Sequence, residues 1–252
     1  MALETTEAIV LRAFRYGDSS KIVSLYTRRF GKIRLIAKGA RSKKPRFGAS
    51  LEPFTESLVV FYRKKERELQ LLSSSDTVRN FAGLRERAFR LGLACATIES
   101  TERMTPEGEE DPALYPWLRA ALAALESAAN DAEAETAFWR GQASLLDHLG
   151  YRWELEACVG CGGAAYGTRV AIDPQEGTLC ADCARTRGGA VVVGEAARAA
   201  LADGFPAPLD GESLRDIRRL FAHFYEGCGF GKGPLRSLSY LEAVSGGPEA
   251  AS

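Results

Sequence analysis

Between residues 7 and 79 the apolar positions come in five short runs, EAIVLRAF, SKIVSLYTRRF, KIRLIAKG, FTESLVVFY and ERELQLLSSSDTV, rich in branched and aromatic side chains that suit a pleated surface. Turn residues separate them at Tyr16-Gly17-Asp18, at Gly31, from Gly39 to Pro53 and at Lys64-Lys65. In the third run Ile33, Leu35 and Ala37 alternate with Lys32, Arg34 and Lys38, so one face is apolar and the other cationic, with Ile36 the exception. Five short strands with one long basic connection between the third and fourth predict a small closed barrel, because closure removes the edges that an open sheet exposes.

From Asn80 the period changes to three and four. Phe81, Leu84, Ala88, Leu91, Cys95 and Ile98 predict one helical stripe. After an acidic loop from Thr105 to Pro112, Asp111-Pro112 starts a second helix with Leu114, Trp117, Leu118, Leu122 and Leu125 on its buried side. A third, about 132–149, carries Phe138, Leu145 and Leu149 and stops at Gly150. A Cys-rich segment at about 151–189 then interrupts the helices. Further helices are expected at 195–202, at 213–226 with Leu214, Ile217, Phe221 and Phe224 on one side, and around Leu235, Leu238 and Leu241, and the closing SGGPEAAS is expected to be disordered. The expected architecture is multidomain α+β: residues 1–79 a β-barrel, residues 80–252 helical with a metal-binding insertion.

A length of 252 residues with 46% apolar and 26% charged residues excludes collagen-like, low-complexity and fully disordered chains. No apolar stretch approaches the ~18 residues of a membrane span. The opening MALETTEAIV has no basic segment leading into an apolar one, so a cytoplasmic protein is expected. The formal charge of zero conceals an asymmetry. Residues 1–79 hold 17 Lys and Arg against 8 Asp and Glu, and residues 80–252 hold 16 against 25. A basic front of this kind suits a polyanion.

Cys158 and Cys161, eighteen intervening residues, then Cys180 and Cys183 match the spacing of a zinc ribbon, in which two tight turns each present two thiolates to one ion. A redox dithiol is the competing reading, and it explains only one Cys pair at a time. Four thiolates fill the coordination sphere, so the expected role is structural, with one zinc per chain. Cys95 and Cys228 read as ordinary residues.

The segment from Arg28 to Arg46 has nine cations in nineteen residues and no acid: Arg28, Arg29, Lys32, Arg34, Lys38, Arg41, Lys43, Lys44 and Arg46. With Tyr26, Phe30 and Phe47 nearby, it has the composition of a surface that tracks a phosphate backbone and stacks bases. A solvated basic face is the alternative, and the aromatics taken alone also suit a core. Catalytic signatures are missing. The Gly31-Lys32 and Gly231-Lys232 pairs lack the Gly five residues earlier that a phosphate loop needs, and His148 and His223 belong to no metalloprotease or deaminase motif. No G-x-S-x-G elbow occurs, so the chain does not read as an enzyme.

A basic N-terminal barrel, a helical body and a four-Cys insertion, in that order, with the opening EAIVLRAFRYGDSSKIVSLYTRRFGKIRLIAKGAR, resemble the RecO family of bacterial recombination mediators. The resemblance implies an OB-fold that binds single- and double-stranded DNA at the nine cations named above, anneals strands without ATP, and helps load RecA onto DNA coated by single-stranded DNA-binding protein. It implies as partners RecR and the acidic C-terminal tail of that coat protein, and a nucleoid-associated place in the cytoplasm. Arg215, Arg218 and Arg219, around Ile217 and Phe221, combine cations with apolar side chains as such a tail requires, although the same Ile and Phe also suit the core of their own helix. A zinc-ribbon transcription or translation factor and a scaffold binding no DNA remain as other classes.

Overall fold

The computed structural model of the chain describes residues 2–42, 46–64, 66–165, 167–228 and 233–239. They form two compact units, one of Met1–Arg87 with Thr97–Glu126, the other of Ala88–Ala96 with Ser127–Ser252. Thr97–Glu126 thus belongs to the same unit as the strands.

In the first unit five strands, β1 (Ala2–Tyr16), β2 (Ser20–Thr27), β3 (Gly31–Ala37), β4 (Glu56–Arg63) and β5 (Leu69–Arg79), close into a barrel in the order β1-β2-β3-β5-β4. β3 and β5 pair in parallel and the other neighbours are antiparallel. This is the five-stranded OB arrangement. β1 begins earlier than its apolar run suggests because its first half pairs with β4, from Ala2 opposite Arg63, and its second half with β2, up to Tyr16 opposite Ser20. A register shift between Val10 and Arg12 lies where the strand changes partners.

The alternation in β3 holds, with Leu35 and Ala37 in the barrel core and Ile33 packed at its margin. Ile36, the exception, faces outward opposite Ile22 of β2. The aromatics beside the basic run are core residues: Tyr26, Phe30 and Phe47 are all buried, and Phe30 meets Phe61 edge-on with centroids 5.6 Å apart. Truncating either ring of that pair leaves a cavity costing ~3–5 kcal/mol.

The helix expected from Asn80 is a 3-10 turn, Ala82–Arg85, followed by α1 (Ala88–Met104). The stripe holds at Phe81, Leu84 and Ile98, which are buried, and fails between them: Ala88 is exposed and Leu91 and Cys95 half-buried, while Leu93, Ala94 and Ala96 are buried. A helix buried around most of its circumference leaves no single periodic face to read. α2 (Leu114–Ser127) buries Tyr115 where Trp117 was expected, and Trp117 is only half-buried. Asp111 accepts the N–H of Ala113 before this helix, and Pro116 falls in its first turn, where a missing N–H leaves no bond unmade. The buried carboxylate of Glu56 on β4 accepts the Tyr115 hydroxyl at 2.9 Å and the Arg119 guanidinium at 2.9 and 3.0 Å, which ties α2 to the barrel wall.

In the second unit α3 (Asp131–His148) starts at Asn130, whose side chain accepts the N–H of Glu133. A three-stranded antiparallel sheet of β6 (Arg169–Asp173), β7 (Gly177–Leu179) and β8 (Val191–Gly194), in the order β7-β6-β8, carries the Cys-rich segment with α4 (Ala181–Arg187). The insertion therefore runs to residue 194, past the expected 189, because β8 completes its sheet. α5 (Glu195–Asp203) and α6 (Gly211–Gly227) follow. The α6 stripe of Leu214, Ile217, Phe221 and Phe224 is buried, and Phe221 lies 4.8 Å from Trp139 and 5.1 Å from Trp153 between ring centroids. Asp216 of α6 accepts the Gly194 N–H at 2.8 Å, which fastens the small sheet to the helix. Residues 236–239 are helical, and Leu241 and the closing SGGPEAAS lie outside the described residues.

Candidate nucleic-acid interface and metal centre

The basic run divides in two. Its first half is largely neutralised: Arg28 pairs with Glu7 at 2.6 Å, Arg29 lies 3.7 Å from Glu4, and Arg34 sits between Glu107 and Glu68. Lys32 is turned inward, 9% exposed, and donates to the Glu102 carbonyl at 2.6 Å. Burial lowers its pKa while the nearby Glu102 and Glu107 charges oppose that shift. The second half is different. Lys38, Arg41 and Arg46 are exposed, and among the described residues they have no carboxylate partner. Arg41 donates its backbone N–H to Ser19 O at 2.8 Å and its guanidinium to Gly17 O at 3.3 Å, so the basic connection is docked on the β1–β2 turn. Arg46 donates to Ser73 O at 3.3 Å. Lys43 and Lys44 lie outside the described residues.

The acids facing the first half come from three places, Glu4 and Glu7 on β1, Glu68 just before β5 and Glu107 in the loop after α1, and the sequence signalled only the last through opposite local charge. Gly108 N donates to Lys32 O at 2.9 Å. Gly31 turns at φ +60°, and a Cβ there would stand 1.8 Å from Glu109 O, so only glycine lets this loop lie against the strand.

The structure brings the four cysteines together. Their Sγ atoms all lie within 4.8 Å of one another, and Cys161 and Cys180 are 3.9 Å apart, close to the roughly 3.8 Å edge of a tetrahedron with ~2.3 Å metal–sulfur bonds. Cys158 and Cys161 sit on a turn beside the Ala157–Ala164 bridge, and Cys180 and Cys183 lie at the end of β7 and within α4. A Cβ on Gly160 would reach to 2.8 Å from the Cys183 Sγ, so glycine is required there by the convergence of the two turns. The Cys158 thiol is held down to about 6 chiefly by the N–H of Cys180, whereas hydrogen bonding with the Cys180 thiol pushes Cys183 up to about 12. A donor set of this composition and spacing fits a metal ion, with Cys158 Sγ already receiving the N–H groups of Cys180 at 3.2 Å and Gly160 at 3.4 Å.

The three arginines of α6 separate. Arg218 pairs with the buried Glu135 through two contacts, the longer 2.6 Å, and lines a cavity of about 190 Å³ with Phe89, Leu93, Trp139, Leu235 and Leu238. Arg219 pairs with Asp216 and donates to Val192 O at 3.0 Å, and Arg215 is exposed; neither lines the cavity. Ile217 and Phe221 are fully buried core residues and offer no surface to a ligand.

Two family models match the chain: Recombination protein O N terminal over residues 1–81, and Recombination protein O C terminal over residues 85–238. The chain belongs to the RecO family. It is 34% identical over 250 residues to the DNA repair protein RecO of Geobacter metallireducens, covering 95% of this chain and 97% of that protein. It is similar also to DNA repair protein RecO of Rubrobacter xylanophilus, 37% identical over 73% of this chain and 72% of that one, and of an Anaeromyxobacter species, 34% identical over 86% and 88%. Membership of the RecO family gives the chain a role in DNA repair and recombination. Among the described residues no helix is long and apolar enough to cross a membrane.

Proposed function

We propose that this RecO family member binds single- and double-stranded DNA on the barrel, anneals complementary strands without ATP, and together with RecR helps load RecA onto DNA coated by single-stranded DNA-binding protein, acting at the nucleoid. The observation that carries the reading is the set of exposed cations without carboxylate partners, Lys38, Arg41 and Arg46, on the β3–β4 connection of an OB barrel. Lys43 and Lys44 belong to the same run. Cations held on a rigid barrel release counterions from a phosphate backbone, which supplies affinity without sequence preference. Two strands partly neutralised on such a surface repel each other less, so pairing proceeds on base-pair energy alone. Nucleotide hydrolysis is not required for that step.

The metal in this reading is one structural zinc held by Cys158, Cys161, Cys180 and Cys183. Four thiolates leave no open position for a water, so the ion closes the small sheet onto its two turns and activates nothing. For the acidic tail of the coat protein, the cavity beside Arg218 supplies an apolar floor that suits a peptide ending in an apolar residue, although Arg218 is shared with the Glu135 carboxylate and Glu226 also lines the cavity. Arg215 and Arg219 then contribute charge near the site rather than contacts within it.

Annealing of complementary mixed-sequence strands by the purified chain, without nucleotide, tests the reading. Acceleration over the spontaneous rate supports a mediator. Binding that depends strongly on sequence points instead to a transcription or translation factor, and absence of binding to a protein scaffold.

A further inference from the structure

Among the described residues the exposed aromatics are Phe14 and Tyr16, 47% and 50% exposed, at the end of β1. The remaining aromatic rings among the described residues are buried or half-buried. Two large rings left in water on a barrel whose other described aromatics are buried or half-buried need an explanation other than stability. Both lie on one face. The residues between and beside them follow the opposite parity: Ala13 pairs with Val23 and Val23 with Leu35, all at the barrel core. Phe14 pairs with Ile22 and Ile22 with Ile36, which makes an outward row of apolar side chains across three strands, with Tyr16 opposite Ser20 in the next row. Ile36 interrupts the cationic alternation of β3 because it belongs to this row.

The surroundings of the row are cationic. Lys38 follows the end of β3, and Arg41 is bonded to Gly17 and Ser19 on the turn just beyond Tyr16. Asp18 is the single acid on that turn. Residues two apart on a strand are ~6.8 Å apart, twice the 3.4 Å rise of stacked bases in a duplex. Rings at that spacing match a stretched strand with its bases unstacked, whereas a duplex keeps its base faces covered.

We propose that Phe14 and Tyr16, floored by Ile22 and Ile36, are the base-stacking platform for single-stranded DNA, with Lys38 and Arg41 taking the flanking phosphates. The proposal rests on the DNA-binding reading above and adds what separates one nucleic-acid form from the other. Stacking on aromatic rings tolerates any base, so the platform adds affinity for single strands without sequence preference.

The test compares the full chain with a Phe14→Ala, Tyr16→Ala double variant, a Phe14→Tyr, Tyr16→Phe double variant and a Lys38→Ala, Arg41→Ala double variant, each titrated with a deoxythymidine oligonucleotide and with a mixed-sequence duplex at several salt concentrations. The alanine pair at the rings is expected to weaken single-strand binding roughly tenfold to a hundredfold. It should leave duplex affinity within about twofold and both salt slopes unchanged, because no phosphate contact is lost. The Tyr–Phe exchange should restore single-strand binding. The Lys38 and Arg41 pair should weaken both forms and lower the slope. If the ring-less variant binds the oligonucleotide as the wild type does, or loses both forms equally, the platform is overturned while DNA binding stands. If the wild type binds neither form, the DNA reading itself fails and the platform with it. Loss of self-association in the ring-less variant, with DNA binding intact, would assign the rings to a second copy of the chain.

Discussion

The Arg34 guanidinium on β3 lies 2.9 Å from Glu107 and 3.1 Å from Glu68, so a cation of the basic run is held between two carboxylates of its own unit. Exposed pairs of this type contribute ~0–1 kcal/mol each, which makes their effect on folding small and their effect on surface charge large. Replacing both acids by Gln should leave the melting temperature nearly unchanged. It should strengthen binding of single and double strands alike and steepen the salt dependence by about one phosphate contact. Titration at several salt concentrations decides it, and an unchanged slope would place Arg34 off the path of the DNA.

The same acidic loop depends on one residue of the turn between β2 and β3. With φ +60° and the Glu109 carbonyl 1.8 Å from where a Cβ would stand, Gly31→Ala must both strain the turn and displace the loop. The expected cost is at least ~1–3 kcal/mol, the range for a residue forced into a sparsely populated conformation. Urea denaturation measures it. A midpoint equal to the wild type would mean that the loop moves away freely.

The strands and the cysteine centre were legible because their signals are local. Alternation in β3, turn residues at each strand end and two Cys pairs eighteen residues apart each reflect geometry within one or two elements. What escaped reading is set by partners distant in sequence. The stripe failed at Ala88, Leu91 and Cys95 because a helix buried on most sides carries no period. Tyr26, Phe30 and Phe47 have the composition of stacking residues but lie in the core, whereas Phe14 and Tyr16, inside an ordinary strand pattern, are the exposed rings. The nine cations look equivalent in sequence. Only the acids Glu4, Glu7, Glu68 and Glu107 and the Glu102 carbonyl, brought up from other segments, separate the compensated ones from Lys38, Arg41 and Arg46.

Cys180 closes the sulfur cluster beside Cys161 at 3.9 Å and also gives its N–H to Cys158 Sγ at 3.2 Å. Cys180→Ala keeps that N–H and removes one ligand. Elemental analysis should then find well under one zinc per chain, and thermal unfolding of the helical unit should move to lower temperature, while DNA affinity of the barrel stays within about threefold. Because thiolates must be deprotonated to bind, acid should release the ion from the wild type as well. Wild-type protein purified without chelator and free of stoichiometric metal would end the metal reading.

Asp210 caps α6, its carboxylate accepting the N–H groups of Ser213 at 2.8 Å and Glu212 at 2.9 Å, and the Ser213 bond is the larger reason its pKa lies below the usual carboxylate value. A lowered folded pKa stabilises the native state above the unfolded value of ~3.9 and is lost as pH falls through the folded value. Asp210→Asn still accepts both N–H groups without titrating. It should therefore unfold less steeply than the wild type as pH falls below about 4, with nearly equal stability at neutral pH. Denaturant midpoints across that range check the sign, and parallel curves would show that Asp210 does not contribute to acid sensitivity.

Arg218 and Leu238 line the same cavity on the helical unit, whereas Arg219, one residue along α6, lines none of it and pairs with Asp216. That separation sets up a sharper test of tail binding than removing both arginines. Arg218→Ala would strand the buried Glu135 carboxylate, which Arg218 compensates, and breaking a buried pair costs ~3–5 kcal/mol, so lost binding there would be confounded by lost folding. Leu238 is half-buried at the rim and can be replaced by Asp without disturbing that pair. An acidic peptide with an apolar C-terminal residue should bind the wild type and the Arg219→Ala variant with affinities within about twofold of each other. The Leu238→Asp variant should bind it at least tenfold more weakly, because it puts a like charge beside the peptide carboxylate and removes apolar contact. Calorimetric titration reads all three. Equal binding by the wild type and Leu238→Asp, or a clear loss in Arg219→Ala alone, would move the tail to another face of the protein.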